Sequence, residues 1–188
     1  MMEIRDIIDR MTGELRDCLA GLNAEEIAVL EREIRGAERV FVAGAGRSLL
    51  MIRAFAMRLM HLGYTAYVVG ETVTPSIREG DLLIVASGSG ATPTMRVIAE
   101  NCKRFGARLA LITAVPDSPI VACSDLIVTV NAATPKNTDN QRKTAQPGAN
   151  TFEQSVLLIG DAIIIDLIGE GNLETKNAEL MWRHANLE

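Results

Sequence analysis

One tryptophan, two tyrosines and four phenylalanines are the whole aromatic content of this 188-residue chain, and its formal net charge is -5. So few rings leave little to stack on bases, and an acidic balance gives no surface that would neutralise a phosphate backbone, so nucleic acid is not an expected partner. Cysteine is equally scarce. Cys18, Cys102 and Cys123 are odd in number, far apart and without C-x-x-C spacing, which suggests neither a disulfide framework nor a zinc site and fits a reducing compartment. Long apolar runs are missing too. The best, Val156 to Ile168, is interrupted by Asp161 and Asp166 and is too short and too charged to span a bilayer. The opening MMEIRDIIDRM mixes acidic and basic residues through its apolar positions, unlike a signal peptide. The expectation is a soluble cytoplasmic protein with no membrane partner. No G-x-x-x-x-G-K-[ST] occurs, which removes the P-loop reading.

What is present is aliphatic. The chain is 48% hydrophobic and 23% charged, so its core must be built from Ile, Leu, Val, Ala and Met, and its length suits one well-buried domain with a modest extension. Ile4, Ile7, Ile8, Met11, Leu15, Cys18, Leu19 and Leu22 recur at three- and four-residue steps and predict an amphipathic helix that buries this stripe. Asn23, with Glu26 three residues on, predicts the cap of a second helix running to about Gly36. This extension, residues 1–36, has two uses open to it: packing on the core or packing on another subunit.

From Val40 onward short apolar runs alternate with helical segments. Strands are expected at 39–43, 65–69, 81–86, 108–113 and 125–130, with helices near 48–62, 92–105 and 118–123. Continuously apolar strands joined by helices predict an α/β fold with a five-stranded parallel sheet covered on both faces, a three-layer sandwich. Ligands of such sheets bind at the carboxyl edge, where strands turn into helices. The segment 131–150 has almost no large apolar residue, and is expected to be either a solvated loop or a lid whose Lys136, Arg142 and Lys143 close over an anion. Thr151 then caps a strongly apolar helix to about Gly169, and a last helix follows from Leu173.

Two strand-to-helix turns are rich in glycine. In FVAGAGRS, Gly44 and Gly46 let backbone approach a ligand, Arg47 can meet an anion, and Ser48 can cap the helix. Gly44-Ala45-Gly46 is also half of a dinucleotide fingerprint, but Leu49 stands where the third glycine belongs. In DLLIVASGSGAT, Ser87, Ser89 and Thr92 offer hydroxyls while Gly88 and Gly90 expose amides, a cradle for a phosphate monoester, with Pro93 suited to a first helical turn. The plainer alternative is a polar turn in which Thr92 only caps the next helix.

FVAGAGRS together with SGSGAT resembles the sugar isomerase (SIS) domain, a flavodoxin-like fold. AFAMRLMHLG at 54–63, VVGETVTP at 68–75, TFEQSVLLIGDAIIIDL at 151–167 and MWRHANLE at 181–188 narrow the resemblance to the 6-phospho-3-hexuloisomerase family, over residues 37–188. The resemblance implies interconversion of D-arabino-hex-3-ulose 6-phosphate and fructose 6-phosphate through a cis-enediol, in the ribulose monophosphate pathway of formaldehyde fixation. It also implies a homotetramer with no metal or other cofactor. The substrate phosphate would be held by Ser48, Ser87, Ser89 and Thr92, with Arg47 neutralising it or stabilising the enediolate oxygen. Glu153 becomes the candidate base, although Thr151-Phe152-Glu153-Gln154 also reads as a capping box. His61 becomes a proton shuttle or ring-opening acid, sometimes supplied by a neighbouring subunit, with His184 as the alternative; at the end of its helix His61 is also explained by the helix dipole. Glu71 and Thr72 end the second strand, within reach of sugar hydroxyls. A phosphosugar sensor without activity and an isomerase for heptose 7-phosphate are the other readings. A sensor would need a DNA-binding domain ahead of the sheet, and a metal-dependent isomerase more than the two histidines present.

Overall fold

The structure, a computed structural model, describes residues 3–133, 144–148, 150–169 and 173–187. Five strands, β1 (Val40–Gly44), β2 (Ala66–Val68), β3 (Leu82–Ala86), β4 (Arg108–Thr113) and β5 (Leu126–Thr129), form one sheet in the order β2-β1-β3-β4-β5, with every pairing parallel. The helices are α1 (Ile4–Leu19), α2 (Ala24–Gly36), α3 (Gly46–His61), α4 (Pro93–Arg104), α5 (Asn150–Ile168) and α6 (Leu173–Trp182). Because side chains alternate across a strand, β1, β3 and β4 each feed two cores. Val40, Val42, Leu82, Ile84, Ala110, Ile112 and Val128 pack with residues of α2, α3 and α5. Phe41, Ala43, Leu83, Val85, Leu109 and Leu111 pack with Met95, Ala99 and Cys102 of α4. Burial on both faces is why β1 and β3 are apolar at every position.

The chain leaves β1 in one direction to add β2, then crosses back to add β3 on the other side. The carboxyl ends of β1 and β3 therefore flank the point where strand order reverses, the usual ligand crevice of such sheets. In register, Gly44 of β1 pairs with Ala86 of β3, so the two glycine-rich turns lie side by side.

The N-terminal helices pack on this same chain. Leu30 and Ile34 of α2 are fully buried, and Cys18 of α1 meets Ser155 of α5. The α1 stripe is buried only in its second half, since Ile4 and Ile8 remain exposed. Asn23 does cap α2, accepting from the Glu25 amide at 2.9 Å. Glu26 leaves the expected capping box and instead accepts from the Thr129 amide at 2.7 Å, which covers backbone of the edge strand β5.

Local boundaries differ from expectation in three places. α3 begins at Gly46 with Ala45 in the cap position, so Ser48 lies in the first turn and does not cap the helix. α5 begins at Asn150, so Thr151 is already helical, and its hydroxyl accepts from the Gln146 amide group at 3.3 Å. The helix expected over 118–123 is a single 3-10 turn, Val121–Cys123, because the Ile120 amide is tied to the Gly90 carbonyl and its side chain is fully buried. The charged centre of the expected lid falls within 134–143, outside the described residues.

Candidate functional site

The second glycine-rich turn is held from below. The Ser87 amide donates to the Ile112 carbonyl, the Gly90 amide to the Ser87 carbonyl, and the Ala114 amide to the Gly88 carbonyl. Thr113 is fully buried beneath the turn, its hydroxyl 3.4 Å from the Gly88 carbonyl. With these bonds made, the amides of Gly88, Ser89 and Thr92 have no partner among the described residues. Ser87 and Thr92 bring their hydroxyls to 3.5 Å of one another, and Thr92, although it is the N-cap residue of α4, makes no side-chain cap bond. Unspent amides beside paired hydroxyls, at the positive end of a 12-residue helix, form an anion cradle. Ser89 is committed differently: its hydroxyl accepts from the Ala91 amide at 3.3 Å and shapes the turn.

Gly90 is required by its surroundings, and Gly88 leaves only tight room for a side chain. A Cβ on Gly90 would stand 2.0 Å from the Ser118 hydroxyl oxygen, and its φ of 55° is left-handed. A Cβ on Gly88 would stand 3.1 Å from the Phe152 ring, so Gly88 is where α5 seats its first turn on this glycine-rich turn.

That seating delivers Glu153. Its carboxylate Oε2 lies 2.8 Å from Arg47 Nε, with the Glu153 side chain 12% exposed. The contact has ion-pair distance but not hydrogen-bond direction, and Oε2 is a buried oxygen with no hydrogen bond. The Arg47 fork is spent instead on Asn150 Oδ1, at 2.8 Å. Arg47 therefore ties the first turn of α3 to the first turn of α5. Farther along, Phe55 packs against Gly160, so the two helices start at the same sheet edge and run the same way. Arg47, Ser48, Ser87, Gly88, Thr92 and Glu153 thus all sit on elements that meet at one edge.

His61 does not join them within this chain. It ends α3, whose 16 residues rise about 24 Å from the Gly46 end. There His61 is buried, stacked on His184 with ring centroids 5.2 Å apart, and Arg183 donates to its carbonyl at 3.2 Å. Burial, reinforced by the Arg58 and His184 charges, holds its pKa below the ordinary value. His184 shares this position, so neither histidine reaches Glu153 of the same chain. Glu71 is paired with Arg53, and Thr72 makes no side-chain hydrogen bond among the described residues.

Three contributors escaped the sequence: Asn150, which holds the Arg47 fork; Thr113, beneath the cradle; and Ser118, whose buried hydroxyl has no hydrogen bond and abuts Gly90. Thr113 ends β4 at the carboxyl edge and Ser118 follows it, and hydroxyl residues at a third strand end were the signal available. Among the described residues no three His, Cys, Asp or Glu side chains gather as a metal site, and no helix is long and apolar enough to cross a membrane.

Comparison with known proteins bears on this edge directly. The family model for the SIS domain matches residues 33–152. A protein of Mycobacterium gastri named 3-hexulose-6-phosphate isomerase is 42% identical over 186 residues, covering 99% of this chain and 92% of that one. One of the same name from Bacillus subtilis is 37% identical, each chain covered completely. A crystal structure from Methanococcus jannaschii, from which a 3-hexulose-6-phosphate isomerase function is inferred, superposes with a TM-score of 0.81 at 31% identity, covering 97% of this chain and 99% of that one.

Proposed function

The chain belongs to the SIS domain family, and from that premise we propose that it is a 3-hexulose-6-phosphate isomerase, interconverting D-arabino-hex-3-ulose 6-phosphate and D-fructose 6-phosphate. The observation that carries the reading is the Glu153 carboxylate, 12% exposed with a buried Oε2 free of hydrogen bonds, placed by Arg47 and Phe152 against the anion cradle.

The reaction moves a carbonyl from C3 to C2. Glu153 takes the proton from C2 as the C3 carbonyl accepts electrons, giving a cis-enediol. The proton is returned at C3 while the C2 hydroxyl becomes the carbonyl. Two electrons shift between neighbouring carbons of one molecule, so the equation balances without an outside oxidant. A single carboxylate reaches both carbons because they are adjacent. A positioned base of this kind contributes roughly 10²- to 10⁴-fold. Arg47, half exposed beside Glu153, stabilises negative charge developing on the enediolate oxygens. Ser87, Thr92 and the amides of Gly88 and Ser89 hold the phosphate, and Gly46, Ser48 and Gly90 shape the turns around it. The cradle needs no charged side chain, which leaves the ionised residues to the carbon chemistry.

Transfer of the hydroxyl proton between O2 and O3 is assigned to a His61 supplied by another copy and freed there from the burial it has within one chain, a reading supported by the length of α3 that separates it from Glu153 of its own chain. A homotetramer in the cytoplasm, serving formaldehyde fixation through the ribulose monophosphate pathway, completes the reading. Exposed Leu50, Met57 and Val73, around a groove of about 570 Å³ on the outer face of α3, favour association. A coupled assay that follows fructose 6-phosphate from hexulose 6-phosphate tests the activity. Conversion is expected, and none would overturn the assignment.

A further inference from the structure

We propose that Glu14, on the N-terminal helix α1, is a positioning residue for Glu153, acting as a latch that fixes the segment leading into α5; the inference rests on the catalytic reading of Glu153 above. Among the described residues, the three hydrogen bonds to the Glu14 carboxylate come from residues 144–146. Oε1 accepts from the Ala145 amide at 2.9 Å, and Oε2 accepts from the Thr144 hydroxyl at 2.7 Å and from Gln146 Nε2 at 3.4 Å. The Thr144 hydroxyl in turn accepts from the Gln146 amide at 3.0 Å, which closes a small ring around the carboxylate.

The path from there to the site is short. Gln146 is 6% exposed, and its Nε2 also donates to the Thr151 hydroxyl at 3.3 Å, so one amide group bridges α1 and the first turn of α5. Thr151 is two residues before Glu153, and its carbonyl accepts from Ser155, whose hydroxyl contacts Cys18 of α1. α1 therefore grips the start of α5 twice, through Glu14 and Gln146 and again through Cys18 and Ser155. Phe152 and Asn150 fix the same turn from the other side, through Gly88 and Arg47. A carboxylate placed by two opposed supports loses its aim when one is cut, and small displacements of a reacting group are costly. Burial alone would raise the Glu14 carboxyl, but its bonds from Ala145, Thr144 and Gln146, with the Arg10 charge, outweigh that and keep it ionised below the ordinary range. This separates Glu14 from an ordinary exposed helix carboxylate: its charge is used.

The experiment compares Glu14→Ala, Glu14→Gln and Gln146→Ala with wild type in steady-state kinetics and in amide hydrogen exchange of the intact protein. Cutting the latch is expected to lower kcat on the order of 10- to 100-fold, to leave KM within about twofold because the phosphate cradle is untouched, and to speed exchange in the first turn of α5. Glu14→Gln, which keeps an acceptor for the Ala145 amide, should recover part of kcat. Glu14→Ala combined with Gln146→Ala should lose no more than the worse of the two singly, since both cut one chain of bonds. Wild-type kcat in Glu14→Ala, or a fall in kcat with unchanged exchange in α5, would overturn the latch. If Glu14→Ala does not fold, Gln146→Ala decides on the same criteria. A wild-type enzyme that does not convert hexulose 6-phosphate would sink the proposed reaction, while faster or unchanged exchange in α5 would still uphold or reject the latch.

Discussion

Gly90→Ala tests how the phosphate cradle is built, because two separate penalties meet at that residue. The first is conformational: at φ 55° an alanine sits in the left-handed region, at about 1–2 kcal/mol. The second is steric. The new Cβ would lie 2.0 Å from Ser118 Oγ and 2.7 Å from Ser118 Cβ, with Thr113 Oγ1 at 3.3 Å. Relief needs the turn or the segment after β4 to move, and overpacking of this kind costs about 1–3 kcal/mol. Together the change should destabilise by about 2–5 kcal/mol, a large part of the ~5–15 kcal/mol that holds a typical domain folded. The two penalties can be pulled apart. Ser118→Gly removes both offending atoms, so Gly90→Ala introduced into that background should cost only the conformational 1–2 kcal/mol or so. Urea denaturation of the four proteins, with KM for the phosphosugar measured alongside, reads both effects. KM should rise in Gly90→Ala and fall back partly in the double variant. Equal cost of Gly90→Ala in both backgrounds would refute the contact with Ser118, and wild-type stability and KM in the single variant would refute the cradle.

Other consequences can be measured on the same footing. Ser87→Ala and Thr92→Val each remove a hydroxyl that can bond a charged group, worth roughly 1.5–3 kcal/mol, so KM should rise about ten- to a hundredfold with kcat little changed; a fall confined to kcat would contradict a phosphate role. Arg47→Lys keeps the charge but not the fork that spans Asn150 and Glu153, so kcat should drop by about tenfold or more, and full activity would show that a point charge suffices. His61 has its pKa held below the ordinary 6.5 by burial, Arg58 and His184, so it contributes stability present above pH 6.5 and lost as pH falls through its lower folded value. Thermal denaturation should show stability falling on the acid side in wild type and a shallower fall in His61→Gln; identical profiles would remove His61 from the account.

The central strands were legible because they are buried on both faces, which leaves continuous apolar runs such as Leu82 to Ala86, and their parallel direction followed from the helices between them. The glycine-rich turn after β3 was legible as a strand-to-helix turn because its residue types, hydroxyls and glycines at the end of an apolar run, mark such turns. Boundaries failed where backbone packing intervened. Gly44 closes onto Leu49, leaving room for only Ala45 before α3, so the helix starts ahead of Ser48. Contacts between distant segments left no local trace: Arg47 and Glu153 are brought together by parallel packing of α3 and α5, and Phe152 reads as an ordinary core residue until it is seen against Gly88. The position of His61 followed from helix direction. A residue at the end of a helix that starts at the site is carried away from it by the whole length of that helix, so a motif placing His61 in the site implies a second copy. Glu26 and Glu14 look like ordinary helix carboxylates, yet each serves backbone of another segment, at Thr129 and at Ala145.

The central claim is that Glu153 carries the proton between C2 and C3. The most direct measurement pairs turnover of hexulose 6-phosphate by Glu153→Gln with calorimetric binding of fructose 6-phosphate to the same variant. The account predicts loss of turnover by roughly 10²- to 10⁴-fold with binding within a few-fold of wild type; turnover at the wild-type rate in that variant would contradict it.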